Sequence, residues 1–131
     1  MPTPHEQTER QLTEYGLTLP ETTARHGWAF TRNLHVRGKL FAIFGNKAQP
    51  LDELTIIVKL PISGEMAQGL YFVRESRGWY RQHGWTIAHF GSQDDVLAEL
   101  ETLRSWLRQS YSAQAPKSLA RRLNEAAPDH G

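Results

Sequence analysis

The stretch HGWAFTRNLHVRGKLFAIF, residues 26–44, predicts a β-hairpin folded over a tight turn at Arg37-Gly38. Aromatic and β-branched residues are dense on both sides of this dipeptide, and its glycine supplies the positive φ that a two-residue hairpin turn needs at its second position. The turn places Leu34 opposite Phe41. Because side chains alternate along a strand, the face that we expect to enter the core carries Leu34, Val36, Phe41 and Ile43, and the other face carries Leu40 and Phe44.

The segments that follow the hairpin predict further strands. Residues 54–60 are expected to form a strand in which Leu54, Ile56, Val58 and Leu60 face inward at alternate positions, and residues 85–90 form another strand. Residues 71–82 mix arginines and aromatic residues without a clean period, so we expect loop and edge strand there. Residues 17–25, on the other side of the hairpin, read as a connector.

Helices are predicted at both ends of the chain. Thr3 and Glu6 form a capping box in front of a helix over residues 4–15, which we expect Gly16 to end. Apolar residues recur at helical spacing from Val96 to Tyr111. We expect this longest helix to begin at an N-cap Ser92, a short helix over 64–69 to begin at Ser63, and a last helix to begin at Pro116.

Length and composition describe one ordinary globular domain. At 131 residues the chain can bury a core without disulfides; we assign residues 1–127 to a single domain and expect 128–131 to fray. The absence of cysteine excludes disulfides, thiolate nucleophiles and cysteine-based metal centres. The N-terminus is polar, and no stretch approaches the roughly 18 apolar residues of a membrane helix. We therefore expect a cytoplasmic protein that makes no membrane contact.

The charge is distributed unevenly along the chain. The net charge is only +1, but residues 25–90 hold nine Lys/Arg against four acids, whereas residues 1–24 and 91–131 are both net acidic. A basic middle segment can steer an anionic partner to one face of a protein. A solvated mixed surface gives the same counts, so the charges alone do not choose between these two readings.

Three motifs resemble a known family. They are VRGKLFA at residues 36–42, YRQHGWT at residues 80–86, and Ser110-Tyr111 near the end of the long helix. On these motifs, over about residues 1–125, the chain is similar to the MmcQ/YjbR-like family of small bacterial proteins. It departs from the family in the Gly- and Arg-containing insertion at residues 74–78.

The resemblance implies both a fold and a function class. The expected fold is α+β, a two-layer, frataxin-like sandwich in which an antiparallel sheet is backed by helices. The family is described as having a "double wing" and is labelled DNA-binding on the basis of that shape. It offers no agreed catalytic residues that could be carried onto this sequence.

A mixture of basic and aromatic residues supplies the candidate site. Phosphate binding needs Arg and Lys on a shared surface, and single-stranded nucleic acid adds aromatic faces on which bases stack. The candidate nucleic-acid-binding residues are Arg32, Arg37 and Lys39 from the hairpin and Arg74, Arg77, Trp79, Tyr80, Arg81 and His83 from the later segment.

Less specific interpretations compete with this one. If these residues do not bind nucleic acid, Trp79 and Tyr80 would pack inward and the arginines would be solvated or paired with acids such as Glu65 and Glu75. Lys39 would be an ordinary solvated residue at a strand end. The histidines at 26, 35, 83 and 89 raise the possibility of a metal site, but their spacing matches no recognised ligand pattern. The serines show no nucleophile elbow, and no Gly-rich phosphate loop precedes a helix.

The sequence therefore favours a non-enzymatic binding module, with no cofactor and no metal, that contacts DNA or another polyanion with little sequence preference. The alternative is a protein-interaction or small-ligand-binding module whose aromatic residues Trp79, Tyr80 and Trp85 dock a partner. We expect a monomer or weak dimer.

Overall fold

A computed structural model describes residues 2–27, 31–45, 50–75 and 78–126, with side chains up to 123. It confirms the α+β class, because six antiparallel strands in the order β1-β2-β3-β4-β6-β5 are backed by helices. The strands are β1 (Thr22–His26), β2 (Arg32–Val36), β3 (Lys39–Phe44), β4 (Leu54–Lys59), β5 (Val73–Arg74) and β6 (Trp85–Phe90). The helices are α1 (Pro4–Leu17), α2 (Gly64–Ala67), α3 (Gly78–Gln82), α4 (Leu100–Gln114) and α5 (Lys117–Ala126), with a 3₁₀ turn at Val96–Glu99 before α4.

The hairpin of β2 and β3 turns at Arg37-Gly38, as the sequence predicts. Both turn residues have positive φ, 48° at Arg37 and 78° at Gly38, the combination that defines a type I′ turn. Arg37 is held in place by Glu21, which also has positive φ and accepts two hydrogen bonds from the guanidinium, at 2.8 and 3.0 Å. The side chain of Arg37 therefore braces the turn against the residue that precedes β1.

The predicted register of this hairpin is wrong beyond the first two pairs. His35 lies opposite Leu40, but Leu34 lies opposite Ala42, so Phe41 is an extra residue in β3. Such a β-bulge reverses the alternation of side chains, since two consecutive residues then face one partner. Phe41 and Ala42 are accordingly both buried, Phe44 enters the core instead of the opposite face, and Ile43 is only partly buried.

Ser110 of α4 fills the gap that opens beside the bulge. The pairing of β3 with β4 ends at Ala42 and Val58. Beyond that pair, the buried hydroxyl of Ser110 donates to the carbonyl oxygen of Phe41 at 2.5 Å and accepts from the backbone N–H of Lys59 at 2.8 Å. One side chain thus satisfies two backbone groups that the sheet leaves unpaired.

Two segments contain more structure than the sequence predicts. The connector 17–25 holds the edge strand β1, whose residues are mostly exposed and therefore carry no alternating apolar pattern. The loop 71–82 holds the predicted edge strand, β5, and also the five-residue helix α3. The first strand of the hairpin begins at Arg32, and the expected positions 28–30 lie outside the described residues.

Helix ends follow the predictions only in part. The capping box of Thr3 and Glu6 is present, but α1 continues to Leu17. Gly16 allows close packing, because a Cβ there would lie 2.4 Å from Cδ1 of Leu34. Neither predicted serine cap forms, since the side chain of Ser63 makes no capping hydrogen bond and Asp95, not Ser92, caps the 3₁₀ turn.

The core lies between one face of the sheet and α1, α4 and α5. Tyr111 packs edge-on against Phe41 at 5.5 Å, and Phe72 stacks on Phe90 at 4.7 Å between their centroids. Leu12, Val58 and Leu107 are likewise almost inaccessible to solvent. No helix in the described ranges is both long enough and apolar enough to span a bilayer.

The Ser110 bridge gives a first prediction. Ser110→Ala would leave the carbonyl of Phe41 and the N–H of Lys59 buried without partners, at a cost of about 1–3 kcal/mol in the free energy of unfolding. Ser112→Ala, on the exposed side of the same helix, should change it by less than about 0.5 kcal/mol. Urea unfolding monitored by circular dichroism measures both, and equal stabilities of the two variants would contradict the structural role of Ser110.

Candidate anion-binding surface

The face of the sheet opposite the core, here called the outer face, carries the side chains that alternate with the buried ones. Its middle strands pair Ile57 with Ile87 and Lys59 with Trp85, and its edge strand β5 places Arg74 opposite Ile87. Trp85 is nearly buried, at 4% exposed. It lies outside the main core and is covered from the outer side by α3.

Helix α3 presents an exposed aromatic ring beside basic side chains. Trp79 is 56% exposed, yet its indole is held by other rings, since it stacks with His83 at 4.6 Å and lies at 6.2 Å from Trp85, nearly parallel to both. His83 is fixed in turn, because its Nδ1–H donates to the carbonyl oxygen of Trp79 at 2.9 Å. We call Trp79, Tyr80, Arg81 and His83 the Trp79 patch.

A cleft opens next to this patch, where α2 and α3 meet the ends of β4 and β6. Its volume is about 510 Å³, within the range of roughly 300–1,000 Å³ typical of ligand sites. Lys59, Glu65, Arg81 and His83 are among the residues that line it. We call this the α3 cleft. Gly84 shapes its wall, because its φ of 76° turns the chain from α3 into β6 while its carbonyl accepts from Leu60 N–H at 2.8 Å.

The structure separates the nine predicted site residues into groups. Trp79, Tyr80, Arg81 and His83 lie together on α3 and the turn after it, with Arg74 on the neighbouring strand β5. Arg37 and Lys39 lie at the hairpin turn. Arg77 lies outside the described residues.

Two of the predicted arginines are already paired. Arg32 lies on the helical side of the sheet, where its guanidinium makes two hydrogen bonds with the carboxylate of Glu9 in α1. Arg37 makes its pair with Glu21, and this contact lowers the pKa of the Glu21 carboxyl below its ordinary value. Both arginines therefore have a structural partner, and Arg32 lies on the opposite face of the sheet from the Trp79 patch.

Arg74 and Arg81, which lie near α3, differ from Arg32 and Arg37 in their ion pairing. Within the described part of the chain, neither Arg74 nor Arg81 has an ion-pair partner, and both are exposed. Trp79 does not pack inward, and Tyr80 is half-buried against it, with the rings edge-to-face at 5.5 Å. Lys39 is exposed at the strand end.

Lys59 is a site residue that the sequence analysis missed. In the sequence, Lys59 occupies an outward-facing position of a strand whose side chains alternate between the core and solvent. Only the pairing of β4 with β6 brings it opposite Trp85 and into the α3 cleft. Its ammonium lies 3.4 Å from the side-chain oxygen of Gln114, a long and weak hydrogen bond. A lysine that follows the last inward-facing residue of a strand is the only signal that the sequence carries for it.

The histidines do not form a metal centre in the described ranges, where no group of three His, Asp or Glu side chains is placed to hold an ion. His89 lies on the outer face with its Nδ1 at 2.9 Å from the hydroxyl of Thr55 and its Nε2 at 3.3 Å from the carboxylate of Glu53. Its polar atoms are therefore engaged by two neighbouring side chains.

His35 is the outer-face group with a perturbed ionisation. Its pKa lies below the ordinary 6.5, first because burial disfavours the charged ring and second because Arg25 repels it. The unfolded chain therefore protonates at His35 more readily than the folded protein does. This contribution to stability is present above a pH of about 6.5 and is lost as the pH falls.

A second prediction follows from this shift. Between about pH 7 and pH 5, the free energy of unfolding should fall less steeply in His35→Gln than in the wild type, because the variant lacks the group that protonates on unfolding. Urea unfolding at several pH values measures the slopes, and identical slopes for wild type and His35→Gln would contradict the shift.

Comparison of the chain with models of protein families and with curated proteins finds no match. The resemblance to MmcQ/YjbR-like proteins therefore stays a prediction.

Proposed function

We propose that this protein binds single-stranded nucleic acid, with little sequence preference, through the Trp79 patch and the α3 cleft. The observation that carries the proposal is the exposed indole of Trp79, which two stacked rings hold on the same short helix as Arg81. Arg81 has no ion-pair partner in the part of the chain that the structure describes. We infer a binding module rather than an enzyme.

Stacking on Trp79 would supply the part of the affinity that is insensitive to salt. A base stacked on an aromatic side chain contributes about 1–3 kcal/mol, and every base offers such a face. Because His83 and Trp85 already hold the indole, little side-chain freedom would be lost on binding. Bases inside a duplex are stacked on each other, which favours a single strand as the ligand.

Phosphates would bind the cations around the indole. Arg81 and Lys59 share the α3 cleft, and Arg74 lies on the adjacent edge strand. Glu65 in the same cleft opposes an anion, so we expect a small number of phosphate contacts and modest affinity. The net charge of only +1 agrees with a localised site more than with a wholly basic face.

The same exposed indole also fits the alternative, the docking of a protein partner. The contribution of Trp85 to such a contact would be small, because only 4% of it is exposed. Salt distinguishes the two functions, since apolar docking does not weaken with ionic strength as phosphate contacts do.

Fluorescence polarisation with a labelled oligothymidine of about 20 nucleotides tests the proposal. The wild type should bind at about 20 mM KCl, more tightly than it binds a duplex of equal length, and the affinity should fall as salt rises. Arg81→Gln should weaken binding and reduce the slope of log affinity against log salt by about 0.7, the share of one phosphate contact on a single strand. Trp79→Ala should cost about 1–3 kcal/mol with little change in slope.

Matched controls are available elsewhere on the surface. Arg121→Gln on α5 replaces an exposed arginine, and Tyr71→Ala replaces an aromatic residue that is 64% exposed; neither should change the affinity. The absence of binding at low salt, or equal losses in the test and control variants, would refute the proposal.

A further inference from the structure

A groove lies on the opposite side of the helical layer from the sheet. Its floor is the outward face of α4, from Glu101 to Ala113, and its walls are Tyr15 of α1 and the Pro61-Ile62 segment. The volume is about 830 Å³, in the upper part of the range of ligand-binding cavities. We call it the α4 groove.

The walls of the groove contain apolar surface that stays exposed to solvent in the folded protein. Ile62 is 91% exposed, although burying such a side chain would gain roughly 1.5–3 kcal/mol. The ring of Tyr15 forms the other wall and packs under the guanidinium of Arg104 at 5.9 Å. The apolar part of a ligand that lay between these walls would cover the side chains of both Ile62 and Tyr15.

The floor carries two arginines one helical turn apart, and they differ in their partners. Arg104 donates to Glu101 at 2.8 Å and to Gln11 at 3.5 Å, while its buried Nε has no partner among the described residues. Arg108 is half-buried and has no hydrogen-bond or ion-pair partner among the described residues. The groove thus holds one neutralised cation and one that is available to an anion.

We propose that the α4 groove binds a small organic anion, with an aromatic or branched apolar body and one carboxylate or sulfonate group. The anionic group would accept hydrogen bonds from Arg108, since guanidinium and carboxylate or sulfonate match in geometry. The body would lie between Tyr15 and Ile62. Pro61 lines both this groove and the α3 cleft, but Trp79, Tyr80, Arg81 and His83 do not line the groove, and the proposal does not depend on nucleic-acid binding.

Anilinonaphthalene sulfonate, an aromatic sulfonate whose fluorescence rises in apolar surroundings, is the probe. The native wild type should bind it saturably at one site, with its near-UV circular dichroism unchanged, which separates this binding from that of a partly unfolded state. Arg108→Gln should weaken binding about tenfold through the loss of a charged hydrogen bond. Ile62→Ser should weaken it several-fold through the loss of apolar contact, and Arg121→Gln should leave it unchanged.

Three outcomes would overturn the proposal. The first is binding that does not saturate or that Arg108→Gln leaves unchanged. The second is binding that Trp79→Ala or Arg81→Gln abolishes while Arg108→Gln retains it, which would place the probe on the other surface. The third is a dimer in sedimentation equilibrium that Ile62→Ser dissociates, because the groove would then be an interface between two copies of the chain.

Discussion

The hydroxyl of Ser110 is the contact on which the arrangement of the sheet depends. It joins the carbonyl of Phe41 to the N–H of Lys59 at the point where β3 and β4 separate. Gln114, one turn later on α4, donates to the carbonyl of Leu40 in the same gap. The C-terminal half of α4 thus replaces part of the β3–β4 ladder. The helix is fixed to the sheet by hydrogen bonds between its side chains and the strand backbone as well as by apolar packing. Beyond this point β4 continues beside β6 alone toward the α3 cleft.

The sequence predicted the parts of the fold that depend on local patterns. The turn at Arg37-Gly38, the capping box at Thr3 and the alternation of β4 are all properties of neighbouring residues, and the structure confirms them. The bulge at Phe41 is different, because the extra residue is stabilised by Ser110, 69 positions away. Edge strand β1 escaped prediction for a related reason: pairing with β2 holds it, and its side chains bury little surface.

The candidate site shows the same division between local and distant information. The composition of residues 79–83 identified the Trp79 patch, since aromatic and basic residues can be recognised by type. Composition could not show that Arg32 and Arg37 are paired with Glu9 and Glu21, since those partners come from α1 and the segment before β1. It also could not show that Lys59 reaches the α3 cleft, which only the register of β4 on β6 determines. Type and spacing indicate which chemistry is possible, whereas tertiary pairing decides which charges remain available.

The central claim is that a single strand of nucleic acid lies on the Trp79 patch and in the α3 cleft, away from the hairpin turn. An NMR titration of the isotope-labelled protein with oligothymidine, followed by amide and indole chemical shifts, tests it most directly. The largest changes should occur at Lys59, at the Trp79 indole and over residues 80–86. Changes confined to Arg37, Gly38 and Lys39, or spread evenly over all exposed cations, would contradict it.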